Sequence, residues 1–125
     1  MGRAFQAVCQ SCQHTFPASE GGGFRFEALR CDRCGTDTAV EYEAVWDTYL
    51  AMLKGLQTSM PEPNGADWRT YPGEPITEDE YRRRVEVHAG ACPCGGRFTH
   101  NAPLRCPACR SESVADDGTS AIMFD

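Results

Sequence analysis

Eight cysteines in a chain of 125 residues form four short-spaced pairs, and this spacing constrains the possible folds more than any other feature of the sequence. The pairs are Cys9/Cys12, Cys31/Cys34, Cys92/Cys94 and Cys106/Cys109. Two cysteines separated by one or two residues present both sulfurs to one side of a turn, as metal sites require. In a secreted chain this count would favour disulfides. Because residues 1–16 lack the pattern of a signal peptide, we interpret the cysteines as metal ligands.

The separations between the pairs predict two modules and an insert. Eighteen residues separate Cys12 from Cys31, within the usual range for a four-cysteine zinc site, and eleven separate Cys94 from Cys106. We therefore expect one zinc ion on the first two pairs and a second zinc ion on the last two. The expected divisions are a zinc-ribbon module at 1–40, a helical insert with a proline-rich loop at 41–90, a second zinc-ribbon module at 91–114 and a tail at 115–125.

Four thiolates on each zinc ion leave no open coordination position, so both expected sites are structural. The sequence also shows no Ser–His–Asp pattern, no glycine-rich phosphate loop and no histidine-rich metal site, and we do not expect an enzyme. The Cys92-Pro93-Cys94 pair is unusually short. If it supplied only one sulfur, His100 would be the first substitute ligand.

Alternation with a period of two predicts β-strands around the cysteines. The candidates are Phe5–Cys9, Phe24–Leu29, Thr38–Tyr42, Arg97–Thr99 and Ser113–Val114, with a turn at Gly21–Gly23. Together with the helical insert, these strands predict a small α+β metal-stabilised protein in which two zinc-ribbon β modules flank the insert.

A long apolar stripe dominates the insert. Its residues recur at helical spacing and predict a helix at about 41–57. The stripe consists of Tyr42, Trp46, Tyr49, Leu53 and Leu56. A second helix begins with the capping box of Thr77 and Glu80 and ends near Gly90. Because this helix is short and polar, we expect part of the stripe to be a partner-binding face.

The segment between the two helices, 58–76, contains four prolines. Proline removes a backbone donor and fixes its own φ, so we expect no regular structure there. Trp68 and Tyr71 are the residues that could hold this loop against a surface.

Two stretches resemble known metal-binding knuckles. Cys9-Gln-Ser-Cys12 and Cys31-Asp-Arg-Cys34-Gly35 resemble zinc-ribbon and rubredoxin-like knuckles, as in a tandem zinc-ribbon protein. Ala102-Pro-Leu-Arg-Cys106-Pro-Ala-Cys109 is similar to the second knuckle of the rubredoxin-like domain of rubrerythrins. The resemblance covers roughly half of the chain and implies bound zinc or iron. Cys92-Pro93-Cys94 departs from the C-x-x-C of rubredoxins, which argues against iron.

Charge separates the remaining classes of function. The formal net charge is −6, and two four-thiolate zinc sites, each carrying −2, would lower it to −10. Such a surface repels phosphate, whereas an acidic body with an aromatic face suits a protein partner. No apolar run reaches the roughly 18 residues of a membrane span.

We therefore expect a cytoplasmic, non-catalytic protein with two zinc ions. Its role would be that of a protein-interaction module or accessory subunit, which binds a protein partner or associates with itself. The alternatives are a nucleic-acid-binding zinc ribbon related to transcription and a rubredoxin-like iron electron carrier.

Overall fold

Two three-stranded antiparallel sheets form the frame of the protein. The structure, a computed structural model, describes residues 2–21, 26–57 and 67–124. The strands are β1 (Gly2–Cys9), β2 (Thr15–Glu20), β3 (Phe26–Cys31), β4 (Asp37–Glu41), β5 (Phe98–Thr99) and β6 (Val114–Phe124). Their order is β2-β1-β6 in one sheet and β4-β3-β5 in the other. The first and last strands are neighbours, so residues from both ends of the chain build one sheet.

Both predicted helices are present. A 3₁₀ turn at Tyr42–Val45 leads into α1 (Trp46–Leu56), and α2 spans Glu78–Ala89. The predicted cap of α2 is confirmed, because the Thr77 hydroxyl accepts a hydrogen bond from the Glu80 amide at 3.1 Å. Within the described ranges, no helix is long and apolar enough to cross a membrane.

Each sheet has its own hydrophobic core, and the two cores differ in size. We call β3, β4, β5 and both helices the inner lobe, and β1, β2, β6 and the 102–113 loop the outer lobe. The inner core contains Leu29, Val40, Val45, Tyr49, Leu50, Leu53, Tyr81, Val85 and Phe98 together with Cys31 and Cys92. Among the described residues, the buried outer core consists of Phe5, Ala7, Phe16 and Ala18 together with Cys9 and Cys106, and Leu104 and Val114 pack against it partly buried. A core this small needs a cross-link to fold.

One polar contact and one close packing contact join the two lobes. The Arg30 guanidinium of β3 donates to the Ser19 carbonyl of β2 at 2.5 Å and pairs with Asp37 at 3.0 Å. At a second contact, Gly35 lies against Arg105, and a Cβ at Gly35 would be 2.7 Å from the Cβ of Arg105. Gly35 has φ +80, so glycine is required there both by the backbone conformation and by the close approach.

Most of the apolar stripe on α1 is covered by the chain itself. Tyr49 is 5% exposed and Leu53 is 3% exposed, while Tyr42 and Trp46 are half-buried and Leu56 is 48% exposed. Tyr49 and Leu53 therefore belong to the core, which corrects the expected five-residue partner face. The covering side chains include Tyr81, Val85, Trp68, Tyr71 and Ile76, which all pack on the inner core. Although α2 is short and polar, its Tyr81 and Val85 are buried in this core and Ala89 packs against it, while Val87 is exposed.

The outer sheet contains strands that the sequence analysis does not predict. β2 carries Pro17 in its centre, which is tolerated because β2 is an edge strand. β6 includes most of the expected tail, and it pairs with β1 through a bulge between the partners of Phe5 and Ala7. Asp116, Asp117 and Gly118 at this bulge break the alternation that would have indicated a strand.

The remaining predictions about strands and loops are either confirmed or concern residues that lie outside the described ranges. The structure confirms strands close to the predicted bounds at β1, β3, β4 and β5. Residues 24–25, the glycines at 22–23 and positions 58–66 of the proline-rich loop lie outside the described residues. The part of this loop that is described holds Trp68 and Tyr71 against the inner core, as predicted.

A mostly buried histidine connects three elements of the inner lobe. His100 follows β5, and its Nε2 lies 3.6 Å from Glu27 of β3 while its Nδ1 lies 3.2 Å from Glu86 of α2. The Tyr81 hydroxyl donates to the same Glu27 carboxylate at 3.1 Å. The nearby Glu27 carboxylate, and then Glu86, raise the pKa of His100 above its ordinary value, against the lowering effect of burial. Protonated His100 therefore bridges two carboxylates on different elements.

We predict that His100 makes the unfolding free energy depend on pH. Because its pKa is higher in the folded state, its contribution is complete below the unfolded value of about 6.5 and is lost as pH rises through the folded pKa. In urea unfolding of the metal-loaded protein, the stability difference between wild type and His100→Gln should shrink as pH rises above about 6.5. His88→Gln, at an exposed position on α2, should show no such trend. A pH-independent difference for His100→Gln would contradict the bridge.

We also predict opposite outcomes for two leucines of α1. Leu53→Ala removes a buried side chain and should lower the unfolding free energy by about 2–5 kcal/mol. Leu56→Ala, one turn further along the same helix, should change it by less than about 0.5 kcal/mol. Chemical denaturation of both variants checks this, and equal losses would show that the stripe is buried differently.

Candidate metal centres

All eight cysteines fall into two groups whose sulfurs lie within 4.8 Å of one another. The outer site consists of Cys9, Cys12, Cys106 and Cys109, and the inner site of Cys31, Cys34, Cys92 and Cys94. The expectation that pairs adjacent in sequence share a site is therefore wrong. The first pair joins the last pair because β1 and β6 are neighbours in one sheet, and the inner site lies between them along the chain.

Two similar turns build the outer site. After β1, the Cys9 amide donates to the His14 carbonyl at 2.8 Å, and in the second turn the Cys106 amide donates to the Ser111 carbonyl at 2.9 Å. Each turn closes with a non-glycine residue in the left-handed region, Gln13 and Arg110, both with φ 65. The turns face each other, with sulfur–sulfur distances of 3.5 Å for Cys9–Cys109 and 3.6 Å for Cys12–Cys106.

The inner site combines a long turn with a short one. The Cys31 amide donates to the Thr36 carbonyl at 2.8 Å, and the Cys92 amide donates to the Gly96 carbonyl at 2.8 Å. The sulfur–sulfur distances are 3.4 Å for Cys31–Cys94 and 3.6 Å for Cys34–Cys92. The short Cys92/Cys94 pair therefore supplies both sulfurs, and His100 is not needed as a substitute.

The short turn requires glycine beside the sulfurs. A Cβ at Gly96 would lie 2.6 Å from the Cys31 sulfur and 2.8 Å from the Arg33 Cβ. Such approaches are not possible for any other residue. Gly96 therefore lets the backbone lie directly on the inner site, which compensates for the residue missing between Cys92 and Cys94.

The sulfur distances fit a tetrahedral metal ion in each site. With metal–sulfur bonds of about 2.3 Å, a tetrahedron has sulfur–sulfur edges of about 3.8 Å. The cross-turn distances of 3.4–3.6 Å need only a slight expansion to reach this value. In each group, four sulfurs complete the coordination shell, and no position remains for a substrate.

In each site, hydrogen bonds already favour at least one sulfur as a thiolate. A hydrogen bond from the Cys12 amide lowers the pKa of Cys9 to about 6. In the inner site, the Thr36 hydroxyl and then its amide lower the pKa of Cys34 to about 6. Since metals bind the thiolate and not the thiol, these hydrogen bonds prepare both sites for an ion.

We predict that double variants will reveal the nested pairing. Cys9→Ser/Cys106→Ser disrupts one site and should leave one metal ion per chain. Cys9→Ser/Cys31→Ser disrupts both sites and should leave none. Native mass spectrometry of the purified variants counts the bound ions. If instead the second variant kept one ion and the first kept none, adjacent pairs would share sites and the structure would be wrong.

One comparison with known proteins gives a match. A family model described as "Domain of unknown function (DUF8255)" matches residues 5–115. This segment contains all eight cysteines. No curated protein and no solved structure matches the chain. The resemblance of the knuckles to zinc ribbons therefore stays a prediction.

Proposed function

We propose that this chain, which belongs to the DUF8255 family of domains of unknown function, is a non-catalytic zinc protein that presents a rigid surface to a protein partner. The observation that carries the proposal is the pair of closed four-sulfur sites. Zinc suits four thiolates in a tetrahedron, and such sites contribute folding free energy rather than chemistry.

A groove beside Trp46 supports the interaction part of the proposal. It has a volume of about 400 Å³ and is lined by Glu43 and Asp47 near the start of α1 and by Arg84 and His88 of α2. The Trp46 ring stacks on Tyr49 at 5.8 Å between centroids, so it is held in place while remaining half-exposed. A rigid tryptophan in a groove with charged walls is a typical anchor for a partner side chain.

The charges of α2 support a protein partner over nucleic acid. Arg82, Arg83 and Arg84 form the longest basic run of the sequence. Each of them pairs with an acid on the same helix, Arg82 with Glu78 at 3.8 Å and the other two with Glu80 at 2.6 and 2.9 Å. Phosphate would have to compete with these carboxylates and with a net charge of −6 or below.

One observation favours the iron alternative for the outer site. This site combines two C-x-x-C pairs, as rubredoxin-like sites do, because the departing Cys92-Pro93-Cys94 pair belongs to the inner site. The argument against iron from that pair therefore applies to the inner site alone. Metal analysis must treat the two sites separately.

The metal is tested on the purified protein. We expect two zinc ions per chain by mass spectrometry and no absorption in the visible range. A red protein with one iron per chain would instead support an electron carrier at the outer site. The Cys9→Ser/Cys106→Ser variant then identifies which site holds the iron, because this variant retains only the inner site. A variant that contains zinc and no iron would place the iron in the outer site.

The partner class is tested with a defined probe. At about 150 mM salt, fluorescence anisotropy should detect no binding to duplex DNA, since few phosphates can be neutralised. Analytical ultracentrifugation of wild type and Trp46→Ala measures the association state. A wild-type dimer that the substitution dissociates would indicate self-association, whereas a wild-type monomer would indicate a different protein as the partner. DNA binding that weakens steeply with salt would contradict the proposed role.

A further inference from the structure

The two sites differ in how far solvent reaches their sulfurs. In the outer site, Cys12 and Cys109 are exposed while the other two cysteines are buried. In the inner site no cysteine is exposed, because Cys34 and Cys94 are only partly accessible. A reagent in solution can therefore approach two residues of the outer site more closely than any cysteine of the inner site.

Neighbouring groups shield the inner sulfurs further. The backbone of Gly96 lies on Cys31, and the Arg33 guanidinium lies beside the same turn, 3.0 Å from where a Cβ of Gly95 would be. The Thr36 hydroxyl lies 3.0 Å from the Cys34 sulfur and can donate to it.

The lobes also differ in how much apolar core remains when their cysteines no longer hold a metal ion. Without its cysteines, the outer core keeps Phe5, Ala7, Phe16 and Ala18, whereas the inner core keeps nine residues from both helices and the β4-β3-β5 sheet. Four apolar residues cannot hold a three-stranded sheet together by themselves. The outer lobe thus depends on its cross-link more than the inner lobe does.

We infer that the outer site is an oxidant-sensitive modification site. Peroxide oxidises its exposed cysteines first, the outer zinc ion leaves, and the outer lobe opens while the inner site keeps its ion. The inference rests on the proposed zinc occupancy of both sites.

In this oxidation, the sulfurs of the outer site supply the electrons and hydrogen peroxide accepts them. The thiolate of Cys12 or Cys109 attacks one peroxide oxygen, which gives a sulfenic acid and hydroxide. A second thiolate of the same site attacks that sulfur, forms a disulfide and releases another hydroxide. Two thiolates thus supply the two electrons that reduce one peroxide. A second peroxide oxidises the remaining two thiolates in the same way, and Zn²⁺ leaves without a change of oxidation state.

Opening of the outer lobe would change the surface of the protein. In the described part of the chain, β6 pairs with β1 alone. Loss of the site therefore frees β6 and uncovers Phe5 and Phe16, which are buried while the sheet is intact. The oxidised protein would expose an apolar surface that the metal-loaded protein hides.

The test follows zinc release from wild type during exposure to hydrogen peroxide. The two zinc ions are counted first, so a wrong metal is recognised before any oxidant is added. We expect biphasic release into a metallochromic indicator, with the first ion leaving about tenfold faster or more. Differential alkylation and peptide mapping after the first phase should find oxidised cysteines in the outer site only. Helical circular dichroism should persist until the second phase.

The Cys9→Ser/Cys106→Ser variant is the matched control, because it holds only the inner ion and should show only the slow phase. If this variant does not fold, the peptide map of wild type decides. Release of both ions in one phase, or earlier oxidation of the inner cysteines, would overturn the inference. Zinc and a dithiol reductant should restore the outer site.

Discussion

The antiparallel pairing of β1 with β6 decides which cysteine pairs combine, and the outer lobe depends on it. It brings Cys9 and Cys12 to Cys106 and Cys109, and the chain between them must form a loop of roughly 100 residues. Closing a loop of that size on folding costs chain entropy of about 4.7 kcal/mol, the amount that a permanent cross-link would already have removed. Zinc binding to four thiolates provides on the order of 10 kcal/mol. The outer ion can therefore stabilise a sheet whose own core is too small.

The nested arrangement gives each lobe a different means of stabilisation. The inner lobe combines its metal site with two capped helices and a core of eleven buried residues. The outer lobe relies on its site, on the ladder of β1 with its two neighbours, and on contacts such as Arg30 with Ser19. Because the lobes have separate cores and separate four-cysteine sites, a change at one site need not spread to the other.

Residue types and short-range patterns were sufficient for much of the local structure. The four cysteine pairs, the capped start of α2 at Thr77 and the apolar stripe of α1 were all visible, because each depends on neighbours within a few positions. The burial of Tyr49 and Leu53 was not visible, since it depends on Tyr81 and on Trp68, which approach from distant parts of the chain. Because these covering residues could not be recognised from the sequence, part of the stripe was expected to remain exposed and to bind a partner.

The sequence by itself indicated that the eight cysteines form groups of four that could hold a metal ion, because spacing within a pair fixes which side of a turn its sulfurs face. It could not determine which pairs combine, since every C-x-x-C turn is an equally good half-site for any other. That choice was made by the tertiary structure. The β1–β6 ladder selects the outer partners, and Gly96 against Cys31 lets the shorter Cys92/Cys94 turn complete the inner site.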